Sequence, residues 1–421
     1  MLPPKPPTIL EDGTGLFRTH VTLDDVNLAI WEQMNTDSQL TEESKMKVIG
    51  DGNGFSSCVI LITCNWTIPC PKLPQKLVLK IVSFFHIKSL VEKAEHEGIF
   101  DIGEEDKEKM SAHFETSIQT MHNQEIEFYN VLSHGDFEKL LVPKLCFSNK
   151  FDEFNKTKGF IGMEYIEGSE TRHTYENCSI EEIQPVLKAI AYIQALTFSS
   201  SPENIKKIED GSVFTKSMQE MMRAEGMKGV FMHTRRQNPE RFGELVDRIE
   251  KQAVEILNFE KAFNLNKYVG RDPQKRLRPW RYLVCQHSMD HWQRWIVCDQ
   301  KSFGLSALPY WTAEDLVRCI CSTLSGAVRR ENWEKILKQF YDYFLEAMGD
   351  KEIPYTFEQL KQSYKMFFPV GGLALLPLFG PAVDMKLRFA DEEKAEKYRE
   401  IIAEKIECLL EDVEKFHLET V

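Results

Sequence analysis

The sequence predicts an α+β protein of two lobes. Strand-like runs gather in the first 168 residues, helical periodicities dominate after residue 178, and no internal repeat or low-complexity tract interrupts either part. A chain of 421 residues is long enough for such a division and for cores of ordinary size. Residues 1–20 are expected to form a flexible lead-in, 21–168 a strand-rich first lobe, and 169–421 a helical second lobe.

The elements of the first lobe follow in order. Thr22 and Asp25 stand three apart at the head of LDDVNLAIWEQM, a capping-box pattern that predicts a helix. KVIGDGNGFSSCVILITCNW places apolar runs on both sides of a Gly-rich centre and predicts strand, turn, strand. After the Pro-rich TIPCPKLPQ, KLVLKIV predicts a further strand with alternating exposure. Residues 95–118 are charged and fit either helix or loop. SIQTMHNQEIEFYNVLSH predicts a helix that buries Ile118, Met121, Ile126 and Tyr129. FIGMEYIEG predicts a strand ending at Gly168.

The second lobe is read from caps and stripes. Ser179 with Glu182 opens IQPVLKAIAYIQALTF, Thr312 with Asp315 opens TAEDLVRCICSTLSG, and Thr356 with Gln359 opens TFEQLKQSYKMFF. ERFGELVDRIEKQAVEIL sets Phe242, Leu245, Ile249, Ala253 and Ile256 on one face. The C-terminal helix is expected to bury Tyr398, Ile402, Ile406, Leu409, Val413 and Phe416. The longest apolar run, FFPVGGLALLPLFGPAV, carries Pro369, Pro377 and Pro381. That density forbids a simple membrane-spanning helix, so a buried irregular segment is expected.

Composition narrows the function classes. Hydrophobic residues make up 42% and charged residues 28%, as in soluble globular proteins. A net charge of −13 argues against nucleic acid or an anionic membrane as the main partner, since both need clustered Lys and Arg. The 10 cysteines are scattered, several inside apolar runs, and form no paired zinc pattern. Buried free thiols of a reducing, cytoplasmic compartment are the expectation. The opening MLPPKPPTILEDG lacks an apolar signal core, so the sequons at Asn65, Asn155 and Asn177 are expected to be chance matches.

Candidate chemistry begins at IGDGNGF. Gly50, Gly52 and Gly54 lie between two predicted strands, where glycine lets backbone N–H groups close on phosphate; a plain tight hairpin fits the same pattern. Lys80 ends LVLK on the next strand, and Glu125 lies in the helix that follows. Protein kinases use such a lysine on ATP phosphates and orient it with such a glutamate. The order of Gly-rich turn, lysine, helix glutamate and then IGMEYIEG favours this reading over two unrelated surface charges. Later in the chain, VCQHSMDHWQRWIV runs from an apolar strand into His287, Asp290 and His291.

In order along the chain, IGDGNGF, LVLKI, HNQEIEFY, GMEYIEG, DLVRCICSTLSGAVRRENWEKILKQFYDYF and FFPVGGLALLPLFGPAVD resemble the ecdysteroid-kinase-like, choline-kinase-like family of small-molecule kinases. The resemblance runs from about residue 20 to the end, and its most specific block is DLVR…LSG…RR…W. It implies the two-lobed protein-kinase-like fold shared with aminoglycoside phosphotransferases, with an ATP-sized cleft. The implied chemistry is transfer of the ATP γ-phosphate to a small-molecule hydroxyl, with Mg²⁺. Gly50, Gly52, Gly54, Lys80 and Glu125 would then serve the nucleotide.

The family carries a catalytic loop of the form H-G-D-x-W-x-x-N. Setting Trp292 on its tryptophan puts Asp290 on the catalytic aspartate and Trp295 on the Mg²⁺-binding asparagine. Tryptophan has no oxygen to offer a hard cation. The family's second metal residue, an aspartate, falls on Ser302 or Phe303. Asp299 is the nearby carboxylate, either a turn residue or a substitute ligand. Three readings follow: a small-molecule kinase with a degenerate catalytic and metal loop; a pseudokinase that binds nucleotide or ligand without transfer; and, remotely, a zinc metallopeptidase using His287 and His291. Asp315 is expected to cap its helix, and the basic GRDPQKRLRPWR to be a solvated linker. A monomer with a small-molecule substrate, and no nucleic-acid or membrane-inserted partner, is expected.

Overall fold

A computed structural model describes residues 7–49, 57–83, 104–140, 142–168, 173–201, 203, 224–258, 312–380, 383, 387 and 391–420. The chain divides into two compact units. Described residues up to Gly168 belong to the first; those from 173 to 201 and from 224 onward belong to the second.

The first unit is built on a five-stranded sheet in the order β1-β2-β3-β5-β4. Its strands are β1 (Lys45–Val48), β2 (Ser57–Thr63), β3 (Lys76–Val82), β4 (Leu145–Asn149) and β5 (Phe160–Glu164), and every pairing is antiparallel. Helix α1 (Leu23–Met34) precedes the sheet, and α2 (Glu104–Leu132) and the short α3 (Phe137–Leu140) join β3 to β4. α1 starts where its capping box predicts. The Thr22 hydroxyl accepts from Asp25 N–H at 3.2 Å, and the Asp25 carboxylate accepts from Thr22 N–H at 2.8 Å. Such a cap contributes about 1 kcal/mol.

The alternation of a strand sends successive side chains to opposite faces, and both faces are used here. Cys58, Ile60 and Ile62 of β2 with Leu77, Leu79 and Ile81 of β3 pack against Val26, Ala29 and Ile30 of α1. The opposite face sets Val59, Val78, Ile161 and Met163 against Ile126 of α2. Each fully buried aliphatic side chain contributes about 1.5–3 kcal/mol.

β4 is a strand that the sequence reading does not predict. Its register shifts between Leu145 and Phe147, which breaks the period-two signal over only five residues. β5 stops at Glu164 rather than Gly168, whose φ of +74° takes the chain out of extended geometry. Phe147 lies over Gly162 of β5, where a Cβ would come within 2.2 Å of its buried ring. Gly162→Ala is therefore expected to destabilise the first unit by about 1–3 kcal/mol. The check is a lower urea midpoint at an unchanged denaturant slope.

The described helices of the second unit are α4 (Ile180–Phe198), α5 (Ala224–Gln237), α6 (Pro239–Ile256), α7 (Thr312–Thr323), α8 (Gly326–Met348), α9 (Phe357–Leu373), α10 (Leu376–Phe379) and α11 (Glu392–Thr420). The boxes at Ser179 with Glu182 and at Thr356 with Gln359 cap α4 and α9 as expected. Helix α7 includes Thr312, and Asp315 is buried within its first turn. The Pro-containing apolar run is buried as expected but helical rather than irregular. α9 runs through Pro369 to Leu373, and α10 follows two residues later. Burial of Phe367, Phe368, Val370 and Leu373 offsets the hydrogen bond that Pro369 cannot donate. Among the described residues, no helix is long and apolar enough to cross a membrane.

The block DLVR…LSG…RR…W lies at the junction of α7, α8 and α11. Arg329, 2% exposed, donates to Asp412 at 2.5 Å, and Arg330 donates to the other oxygen of Asp412 at 2.9 Å. Glu404 accepts from Gly326 N–H and Ala327 N–H at 3.0 and 2.9 Å, closing the N-terminus of α8. Trp333 stacks on Tyr364 at 5.6 Å. The described cysteines are thiols rather than disulfides; Cys58, Cys178, Cys319, Cys321 and Cys408 are buried. Burial pushes the thiols of Cys319 and Cys321 up to about 12 and about 11, which keeps them protonated and unreactive.

Lys405 of α11 is fully buried, and its Nζ donates to the carbonyls of Thr174 at 2.6 Å and Ser322 at 2.8 Å. Burial lowers its pKa from 10.5 to about 7, against the opposing pull of Cys178 and Glu404. The unfolded chain therefore binds more protons at this site between pH 7 and 10.5. Stability should rise across that window and fall as pH drops back through it. Lys405→Met is expected to flatten the curve of unfolding free energy against pH between those limits, measured beside the parent protein.

Candidate functional site

Lys80 lies on β3, the middle strand of the sheet, opposite Val59 of β2 and Ile161 of β5. Strand alternation gives it the face of Val78, on which α2 packs. Glu125 comes from α2, next to Ile126, which anchors the helix in that core. Lys80 Nζ meets Glu125 Oε2 at 2.6 Å, and the two side chains are 7% and 5% exposed.

Burying both charges has a desolvation cost that their attraction repays only with good geometry, so such a pair fixes geometry more than it adds stability. The local chemistry around Glu125 is quiet. One turn before it, His122 is buried with Nε2 2.8 Å from Asn149 O, and burial lowers its pKa to about 4. The ring is thus neutral, Nε2–H donates, and Nδ1 meets no hydrogen-bond partner among the described residues. One turn after Glu125, the Tyr129 hydroxyl is pushed far up by burial and by Glu125 itself, so it stays protonated.

A buried lysine aimed by a helix carboxylate is a fixed cation able to receive an anionic group such as phosphate. Ile49 and Ser57 flank, in sequence, the segment holding Gly50, Gly52 and Gly54, and both are tied to the sheet. Ile49 N–H donates to Val59 O at 2.8 Å, and Ser57 pairs with Val82 of β3.

Of the residues picked out in the sequence, the structure brings Lys80 and Glu125 together. Gly50, Gly52, Gly54, Asp290 and Asp299 lie outside the described residues, as do His287, His291, Trp295, Ser302 and Phe303. Among the described residues, no group of three or more His, Cys, Asp or Glu is placed to hold a metal ion. His122 and Asn123 stand in the run HNQE without a signal that marks them as functional. No spacing rule marks them, because they meet backbone groups of a distant connection.

A lysine on the third strand of an antiparallel sheet, tied to a glutamate of the next described helix and followed in sequence by a helical unit, is the protein-kinase-like arrangement. The fold is α+β of that class. The chain belongs to the DUF1679 family, described as "Uncharacterized oxidoreductase dhs-27", which matches residues 9–421. Among solved structures it is similar to a crystal structure from Ralstonia eutropha JMP134 described as a "putative aminoglycoside phosphotransferase". That match has 11% identity, covers 93% of this chain and 98% of that one, and has a TM-score of 0.41. No curated protein matches the sequence.

Proposed function

We propose that this protein is a small-molecule kinase-like protein that binds ATP through Lys80. The observation that carries the proposal is the buried ion pair between Lys80 and Glu125 on adjacent β3 and α2. In this reading Glu125 orients the lysine, Lys80 contacts nucleotide phosphate, and the backbone at Gly50, Gly52 and Gly54 closes on the same phosphates. Asp290 is the base for the hydroxyl of a small metabolite. Mg²⁺, where bound, would neutralise phosphate charge, with Asp299 as its candidate carboxylate. The sequence resemblance to ecdysteroid-kinase-like and choline-kinase-like proteins supports this assignment of roles. A cytoplasmic monomer acting on a small molecule is the setting proposed.

A second reading, binding without transfer, is favoured by Trp295 and by Ser302 or Phe303 at the positions where the family keeps its metal ligands. The word oxidoreductase in the family description finds a different physical situation here. A dinucleotide fold needs parallel strands joined by crossover helices, with pyrophosphate at a helix N-terminus. The described sheet is antiparallel in every pairing.

Calorimetric titration of the full chain with ATP and, separately, with NADH and NADPH discriminates these chemistries. Saturable ATP binding with no heat from either dinucleotide is expected. Dinucleotide binding without ATP binding would overturn the proposal.

A further inference from the structure

We propose that Asn123 is a positioning residue that holds Glu125 against Lys80 by fixing α2 to the backbone of the β4–β5 connection. The consequence for nucleotide rests on the function proposed above; the positioning itself does not. Asn123 makes with Phe151 the two hydrogen bonds that a paired strand residue would make. Its Nδ2 donates to Phe151 O at 2.7 Å, and its Oδ1 accepts from Phe151 N–H at 2.9 Å. The same helix face adds His122 on Asn149 O at 2.8 Å and Gln119 Nε2 on Lys156 O at 2.9 Å, with Glu127 paired to Lys150. Residues 119, 122, 123 and 127 share that face by helical spacing.

The connection they grip is itself firmly built. Asn155 donates to the carbonyls of Lys150 and Lys158 at 2.7 and 3.1 Å and accepts from Lys158 N–H at 3.0 Å. This occupies the amide that the Asn155 sequon would offer to a glycan. Asp152 accepts from Phe154 N–H and Asn155 N–H, both at 2.7 Å. The Phe151 ring lies where a Cβ on Gly159 would be, 2.2 Å away, and Gly159 O accepts from Val82 N–H at 2.9 Å.

These contacts close a ring. From Glu125 the path runs two residues back along α2 to Asn123, across to Phe151, onto Gly159, and to Val82. Two residues back along β3 lies Lys80. Helix and strand are thus gauged against each other by a route independent of the ion pair. The two-residue spacing of Asn123 and Glu125 has a mechanical reason: rotation of α2 that loses one contact misplaces the other.

The test is trace acylation of Lys80 in the full-length protein with acetic anhydride, read residue by residue by mass spectrometry. Glu125→Gln is the reference for a weakened pair. Asn123→Ala is expected to raise the Lys80 rate several-fold, because an amine held less firmly against its carboxylate spends more time unpaired and open to the reagent. Asn123→Asp, which keeps the acceptor for Phe151 N–H, should fall between. Asn155→Ala, which loosens the connection without touching α2, should raise the rate as well, and it carries the test where Asn123→Ala does not fold. Thr120→Ala, which removes a hydroxyl bonded within the helix to Thr116 O, should leave the rate unchanged. Lower melting temperatures for Asn123→Ala and Asn155→Ala with parental Lys80 labelling would overturn the proposal. If labelling rises as expected but the parent protein binds no ATP, the positioning role stands and the nucleotide reading fails.

Discussion

Glu125→Ala is expected to destabilise the first unit by about 3–5 kcal/mol, the cost of taking one partner from a buried ion pair. Lys80 would stay 7% exposed on a sheet face lined by Val59, Val78, Ile161 and Met163, without the carboxylate it now meets at 2.6 Å. Equilibrium urea unfolding gives the number directly. Glu125→Gln should cost less, because the amide keeps an oxygen to accept from Nζ. The double variant Lys80→Met with Glu125→Leu should recover much of the loss, since an apolar pair of similar volume removes both desolvation costs at once. A single Glu125→Ala effect below about 1 kcal/mol would mean that the pair behaves as a surface contact.

Mg²⁺-dependent ATP turnover by the unmodified protein is expected to stay near background even where nucleotide binds. Phosphoryl transfer is mostly positioning and charge stabilisation, and one preorganised stabilising group is worth roughly 10²–10³ in rate. Trp295 and Ser302 or Phe303 stand at both positions where the resembled family places oxygen ligands, so a loss beyond about 10³ is expected. Binding and chemistry should separate: Asp290→Ala should leave ATP affinity unchanged. Robust Mg²⁺-dependent phosphorylation of a small-molecule acceptor, abolished by Asp290→Ala, would contradict the degenerate-loop reading. It would point to Asp299 as the substitute ligand, which Asp299→Ala then checks.

The sequence made some of this architecture legible and hid other parts for physical reasons. α1, α4 and α9 begin where their caps say, because a capping box is local chemistry between residues three apart. β2 is legible as a continuous apolar run because both faces of the sheet are covered; β3 is legible as a strand, but the alternating exposure expected of KLVLKIV gives way to burial on both faces, Lys80 included. β4 is not, because a bulge interrupts its alternation. The helix through Pro369 is not legible because tertiary burial outweighs a local rule. At the site, the order of lysine and helix glutamate is readable along the chain. Their contact depends on how α2 is seated, and that seating uses side-chain bonds from Gln119, His122 and Asn123 to carbonyls that no sequence pattern marks.

The central claim is that Lys80, set by Glu125, is a phosphate-binding group. Calorimetry of ATP binding to the parent protein and to Lys80→Ala, each with Mg²⁺ and with the metal chelated, tests it most directly. A charged hydrogen bond is worth about 1.5–3 kcal/mol, so Lys80→Ala should weaken ATP binding roughly 10- to 100-fold. Chelation should change the parent affinity little, because a lysine contact does not need the ion. Equal ATP affinity in the parent and in a folded Lys80→Ala protein, or no ATP binding in either, would contradict the claim.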